Sequence, residues 1–188
     1  MKQGLDWLWP GNKRIAVVFN VCLEAWSDGK APGISPMGNP LPAGVHRGIA
    51  QFMGYGSYSA ATAEVSVSKD GKVKVHRMVL ATNSGHAVNP DQIAAQVEGG
   101  VAYGLTALLY GECTVDQGRI AELNFHNYRI LGLAEMPKVE TVIVPTYDFW
   151  GGVGEPTISV VAPAVMNAIF AATGKPVRSL PLKNLKLV

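Results

Sequence analysis

Cysteine, charge and long apolar runs are all scarce in this sequence. The only two cysteines among 188 residues, Cys22 and Cys113, build neither a disulfide framework nor a Cys-rich metal site. A reducing compartment is the default for such a chain, so a cytoplasmic location is expected. Sixteen Lys and Arg face fourteen Asp and Glu, a net charge of +2. That balance supplies no electrostatic footprint for nucleic acid. Residues 1–9 carry Lys2 and Asp6 and lack the apolar run of a signal peptide. The longest uncharged stretch, Pro156 to Gly174, is interrupted by Ser159, Pro163 and Asn167. A soluble helix is expected there rather than a membrane span. No Gly-x-Ser-x-Gly nucleophile turn occurs. His46, His76, His86 and His126 show no helical metal-ligand spacing, so no metal site made of protein side chains is expected.

What remains is a chain with 48% hydrophobic residues, enough to bury a core. Its composition shifts near residue 44. Residues 1–44 hold five of the twelve prolines and three of the four tryptophans. Arg14 to Val21 reads as one buried strand, followed by proline- and glycine-rich chain, so this part looks like an incomplete piece. From residue 45 onward the patterns are those of a folded domain. Ser57–Ser68, the turn Lys69-Asp70-Gly71 and Lys72–Leu80 predict a β-hairpin, with Val73, Val75 and Val79 on one face. Asn89-Pro90-Asp91 opens a helix: Asn caps, Pro takes the first helical position and Asp favours the positive end. Ile93, Val97, Val101, Leu105 and Leu108 form its apolar stripe. Gly99, Gly100 and Gly104 suggest close approach by another backbone or a ligand.

Leu108–Val115 and Arg119–Phe125 around Asp116-Gln117-Gly118 predict a second hairpin, with Cys113 buried in a strand. Val139–Pro145 predicts a strand. Pro163–Ala172 predicts a helix stopped by Gly174-Lys175-Pro176. Hairpins and helices without regular β-α-β alternation predict an α+β fold of mixed sheets with packed helices.

Two segments could carry chemistry. Gly151-Gly152-Val153-Gly154-Glu155-Pro156 places a single acid after three glycines and before a long uncharged run. In a dry pocket such a carboxylate has a raised pKa and can act as a base. The plain alternative is a glycine turn whose Glu sits at a helix start. No Gly-Lys-Ser/Thr follows, so this is not a phosphate-binding P-loop. Asn89 through Gln96-Val97-Glu98-Gly99-Gly100 offers free N–H groups at a helix start, and the Gln96 amide offers both donor and acceptor to a polar ring. An ordinary capped helix with surface Gln and Glu fits the same residues.

Residues 45–188 resemble the C-terminal molybdopterin-binding domain of the xanthine dehydrogenase and aldehyde oxidase family. Large subunits of the isoquinoline oxidoreductase and nicotinate dehydrogenase type resemble it most. The resemblance lies in Tyr58-Ser59-Ala60-Ala61-Thr62-Ala63-Glu64-Val65, Val88-Asn89-Pro90-Asp91, Gln96-Val97-Glu98-Gly99-Gly100, Asn124-Phe125-His126-Asn127-Tyr128 and Gly152-Val153-Gly154-Glu155-Pro156. It implies a molybdenum hydroxylase that oxidises an aldehyde or N-heterocycle with water-derived oxygen. Glu155 becomes the catalytic base. Gln96, Gly99, Gly100, Gly152 and Gly154 become the residues that hold a molybdopterin cofactor, in its cytosine dinucleotide form. 2Fe–2S clusters are expected only on a partner subunit, and the upstream half of the large subunit is expected as a further partner.

Two departures stand out. Many members carry an Asp-Cys-Gly triplet before the Val-Asn-Pro motif, where this chain has Asn83-Ser84-Gly85. The upstream half is not in this sequence, so a catalytically incomplete remnant is the alternative reading. Residues 11–42, with Arg14–Val21 and Glu24–Pro32, resemble instead the start of polysaccharide-deacetylase-like proteins. The expected division is therefore 1–44, a deacetylase-like fragment and linker, and 45–188, the molybdopterin-binding domain.

Overall fold

The computed structural model describes residues 41–187. The predicted strand at Arg14–Val21 and its proline-rich tail up to residue 40 lie outside the described residues. Strand β1 (Val45–Gly54) pairs antiparallel with β2 (Ser57–Val67), and β2 with β3 (Val73–Asn83). After a long crossover, β6 (Lys138–Ile143) adds parallel to β3, giving the order β1-β2-β3-β6. Helices α1 (Pro90–Leu109) and α2 (Ile158–Thr173) complete the core. The predicted α+β class is the one observed.

The hairpin at Lys69-Asp70-Gly71 forms as expected, with Gly71 at φ 81°. Strand β1 carried no clean alternation and was not anticipated. Its connection to β2 is a two-residue turn in which Tyr55 and Gly56 both take left-handed backbone, φ 55° and 71°. Such turns match the strand twist but usually announce themselves with Asn-Gly or Asp-Gly.

On β2 the inward face is Ser57, Ser59, Ala61, Ala63 and Val65, all buried. On β3 the expectation for Val79 fails: Val75, Met78 and Leu80 are buried in the core, and Val79 is only partly buried. The cause is a bulge. Glu64 pairs with Arg77 and Val65 with Val75, so His76 is an extra residue that resets the alternation. His76 hydrogen-bonds through its Nε2 to the Ser66 hydroxyl at 2.7 Å, and Arg77 donates to Glu64 and Glu140 at 3.2 and 2.6 Å. Arg47 also donates to Glu64, at 2.9 Å. The polar side of the sheet thus carries an ion-pair ladder across all four strands. Arg77, and then Lys138, hold the Glu140 carboxyl down at about 2.

Asn89 caps α1 as predicted, accepting from the Gln92 N–H at 3.2 Å, and the five stripe residues are all buried. Each such aliphatic side chain contributes about 1.5–3 kcal/mol by leaving water. Helix α2 starts five residues earlier than expected, at Ile158, and carries Pro163 inside it. It ends on Gly174 at φ 70°, as predicted. Helix α2 lies directly on β1: a Cβ on Gly48 would fall on the backbone of Ala164 and Ala168. The Asn167 amide donates to the Ile49 carbonyl at 2.8 Å.

The second predicted hairpin shrinks to a two-residue ladder, β4 (Val115–Asp116) with β5 (Arg119–Ile120). Leu108 belongs to α1, because burying it completes the apolar stripe. Cys113 is exposed and lies outside any strand, not buried as expected. Arg129 fastens the return of the chain, lying 3.8 Å from the centre of the Tyr110 ring and donating to Glu135 at 2.9 Å.

Candidate functional site

The segment carrying Glu155 runs between β6 and α2 and is fastened at its root. Gly151 donates its N–H to the Ser84 carbonyl at 2.9 Å, just past the end of β3. Gly152 donates to the Tyr55 carbonyl at 2.8 Å and accepts from the buried Ser57 hydroxyl at 2.6 Å. Both glycines are sterically required. A Cβ on Gly151 would strike the Gly56 carbonyl and the Ser57 hydroxyl, and one on Gly152 would lie 2.9 Å from Tyr55 Cβ. Beyond them the segment opens. A Cβ on Gly154 would meet nothing within 4 Å, and Glu155 is exposed. The dry enclosure expected around Glu155 is therefore not formed by the described residues.

Helix α1 reaches the same region. A Cβ on Gly100 would sit 2.8 Å from Thr157 Oγ1, two residues past Glu155. Gly104 packs against Val161 in the next turn. At Gly100 and Gly104 the close approach predicted for these glycines is made by α2 and its entry. Gln96, one turn before Gly100, and Gly99 beside it are exposed, and a Cβ on Gly99 would meet nothing within 4 Å. Of the six residues singled out, Gln96, Gly99, Gly154 and Glu155 remain open around the α1–α2 contact, while Gly100 and Gly152 are engaged within the protein.

These open groups fit a large polar cofactor such as a pterin. Gly99 and Gly154 leave space where any other residue would project a side chain. The Gln96 amide has both kinds of hydrogen-bonding group and no partner among the described residues. The Thr157 hydroxyl is buried with no partner among the described residues, as is that of Ser59. Among the described residues no group of three His, Cys, Asp or Glu is placed to hold a metal ion directly. No helix among them is long and apolar enough to cross a membrane.

Sequence reasoning did not single out Ser57, whose partner lies 95 positions away. It also found no role for the Asn83-Ser84-Gly85 triplet. The Asn83 side-chain oxygen accepts from the Gly85 N–H at 2.9 Å and from the Thr146 hydroxyl at 3.2 Å. Gly85, at φ 82°, lies under the carbonyls of Asp148 and Phe149. Around this turn gather four rings: His86 with Tyr147 at 5.9 Å, His86 with Trp150 at 6.4 Å, and Phe149 with Trp150 at 5.8 Å. Phe149 is 87% exposed and Tyr147 76%.

Residues 42–137 match the family described as "Molybdopterin cofactor-binding domain". A membrane-bound aldehyde dehydrogenase (pyrroloquinoline-quinone) of Gluconacetobacter polyoxogenes is 30% identical over 176 residues, covering 92% of this chain and 22% of its own length. The isoquinoline 1-oxidoreductase subunit beta of Brevundimonas diminuta is 32% identical over 141 residues, covering 72% of this chain and 18% of its own length. The crystal structure of an aldehyde oxidoreductase from Desulfovibrio desulfuricans superposes with a TM-score of 0.57 at 28% identity, over 66% of this chain and 14% of that one. The chain spans about a fifth of the length of these curated relatives.

The deacetylase resemblance of residues 11–42 falls almost wholly outside the described residues, and no comparison supports it. The Gluconacetobacter match leaves 8% of the chain, about 15 residues, outside it, so it runs through most of that same segment. With its mixed sheet and paired helices, its open Gln96 and Glu155 segments and these relatives, the chain belongs to the molybdopterin cofactor-binding domains of the xanthine dehydrogenase and aldehyde oxidase superfamily.

Proposed function

We propose that residues 45–188 are the pterin-binding and proton-transfer part of a molybdenum hydroxylase acting on aldehydes or N-heterocycles. The observation that carries this reading is the contact between Gly100 and Thr157, which joins α1 just after the exposed Gln96 and Gly99 to the chain just after the exposed Gly154 and Glu155. The relatives named as an isoquinoline oxidoreductase and an aldehyde oxidoreductase support the reaction class. When bound, the molybdenum cofactor supplies the two-electron chemistry. This chain supplies placement and a proton acceptor.

The Gln96 amide offers a donor and an acceptor to the edge of the pterin, and Gly99 lets it come close to the helix. Gly100 and Gly152 act one step back, by seating the segments that make contact. Glu155 accepts a proton at its carboxylate oxygen. Glu155 is exposed among the described residues, so this reading calls for a water-excluding wall from another part of the large subunit. The cytosine dinucleotide tail, a partner bearing 2Fe–2S clusters and a cytoplasmic location belong to the same reading.

The test is Glu155→Gln in the complete enzyme. Turnover is expected to fall about a thousandfold, the middle of the range for a lost general base, at unchanged molybdenum content. Undiminished turnover overturns the role of Glu155. Purification without molybdenum or an iron-bearing partner favours the alternative, a chain that keeps the fold without the activity.

A further inference from the structure

A base on a loop with three glycines has a problem of freedom. Gly151, Gly152 and Gly154 admit many backbone settings, whereas proton transfer requires placement within a fraction of an ångström. Some other part of the molecule has to remove that freedom. We propose that Ser57 and Asn83 are positioning residues for Glu155, two halves of a clamp on the root of its loop. The inference rests on the reading of Glu155 as the base.

The first half is the β1–β2 turn. The fully buried Ser57 hydroxyl donates to the Gly152 carbonyl, and the Tyr55 carbonyl receives the Gly152 N–H, so one hairpin grips both polar groups of one glycine. The left-handed Tyr55 and Gly56 bend the turn so that it faces Gly151 and Gly152.

The second half is the Asn83-Ser84-Gly85 turn. Asn83 Oδ1 receives two hydrogen bonds, from the Gly85 N–H and the Thr146 hydroxyl, and so sets the turn and draws in the incoming loop together. Thr146 adds its own N–H to the Gly85 carbonyl at 3.1 Å. The turn then presents the Ser84 carbonyl to the Gly151 N–H. Each position uses something different: an acceptor oxygen at 83, a backbone carbonyl at 84 and an absent side chain at 85. An Asp-Cys-Gly triplet meets all three demands equally, so the departure noted in the sequence leaves the clamp intact.

Three variants test this, each in the full chain and in the complete enzyme: Ser57→Ala, Asn83→Ala and Asn83→Asp. The first readout is amide hydrogen exchange by NMR, which needs no turnover. Gly152 in Ser57→Ala and Gly151 in Asn83→Ala are expected to exchange at least about tenfold faster, with Val101 to Leu108 of α1 unchanged. The second is the kinetic split at equal molybdenum content. A fall in kcat of about 10- to 100-fold with KM within about twofold is expected for both alanine variants. Asn83→Asp keeps the acceptor and is expected to regain most of that loss.

Unchanged protection of Gly151 and Gly152 overturns the clamp. Faster exchange with undiminished kcat overturns its role in catalysis, as does an Asn83→Asp enzyme no better than Asn83→Ala. Undiminished turnover in Glu155→Gln instead removes the base reading, and the exchange results then describe loop fastening alone.

Discussion

Two glycine clusters face each other across the Thr157 contact, and they are built on opposite plans. In α1 the glycines that serve packing, Gly100 and Gly104, come last, and the open one, Gly99, precedes them. In the loop before α2 the packed glycines, Gly151 and Gly152, come first and the open one, Gly154, follows. A run of glycines therefore does not mark a ligand contact as a whole. Within each run, some positions are small because the protein needs the space, and others are small beside space the protein leaves empty.

That division can be broken by substitution. The largest effect is expected for Gly151→Ala, whose new methyl falls on a backbone carbonyl that cannot rotate away. A loss of about 3 kcal/mol or more is expected, read as a lower urea midpoint. Gly104→Ala comes next. Its methyl lands 2.6 Å from Val161 Cβ, and α2 must shift. The strain is partly offset by about 1 kcal/mol of better helix propensity, leaving a net loss of about 1–2 kcal/mol in the same titration. Gly99→Ala sharpens the comparison because its sign is reversed. With open space around it in a helix, alanine is expected to stabilise by about 0.5–1 kcal/mol, a Tm about 2–3 °C higher, while the complete enzyme retains less molybdopterin. A destabilised Gly99→Ala, or one that loads cofactor fully, erases the distinction between packed and open glycines.

The parts of this fold that were legible are those decided locally. Asn89-Pro90-Asp91 starts α1 and Gly174 stops α2, because capping and left-handed backbone depend on a few adjacent residues. Strand β1 hid because its turn uses Tyr55 where Asn or Asp is the usual sign. Val79 was misassigned because alternation cannot show that His76 is an extra residue until β3 is set against β2. Within the site, Gln96 and Glu155 were reachable through motifs. Ser57 and Asn83 were not, since each acts on residues more than sixty positions away. The exposure of Glu155 was hidden for another reason: an acid set between glycines and an uncharged run does not show which residues fold over it, and among the described residues none encloses it.

The parallel pairing of β3 with β6 has a consequence for the order of assembly. Arg77 meets Lys138 only after all of α1 and the chain behind it have been placed, whereas β1, β2 and β3 zip together through neighbouring turns. Closing so large a loop is entropically slow, so the antiparallel strands form early and β6 joins late. Until then β3 presents a bare edge, the kind of surface on which chains aggregate. The Glu155 loop follows β6 and leans back on the first turn of the sheet, so it acquires its setting at the end. On that order, the speed of crossover closure is expected to limit how much newly made chain reaches a form that can receive a cofactor.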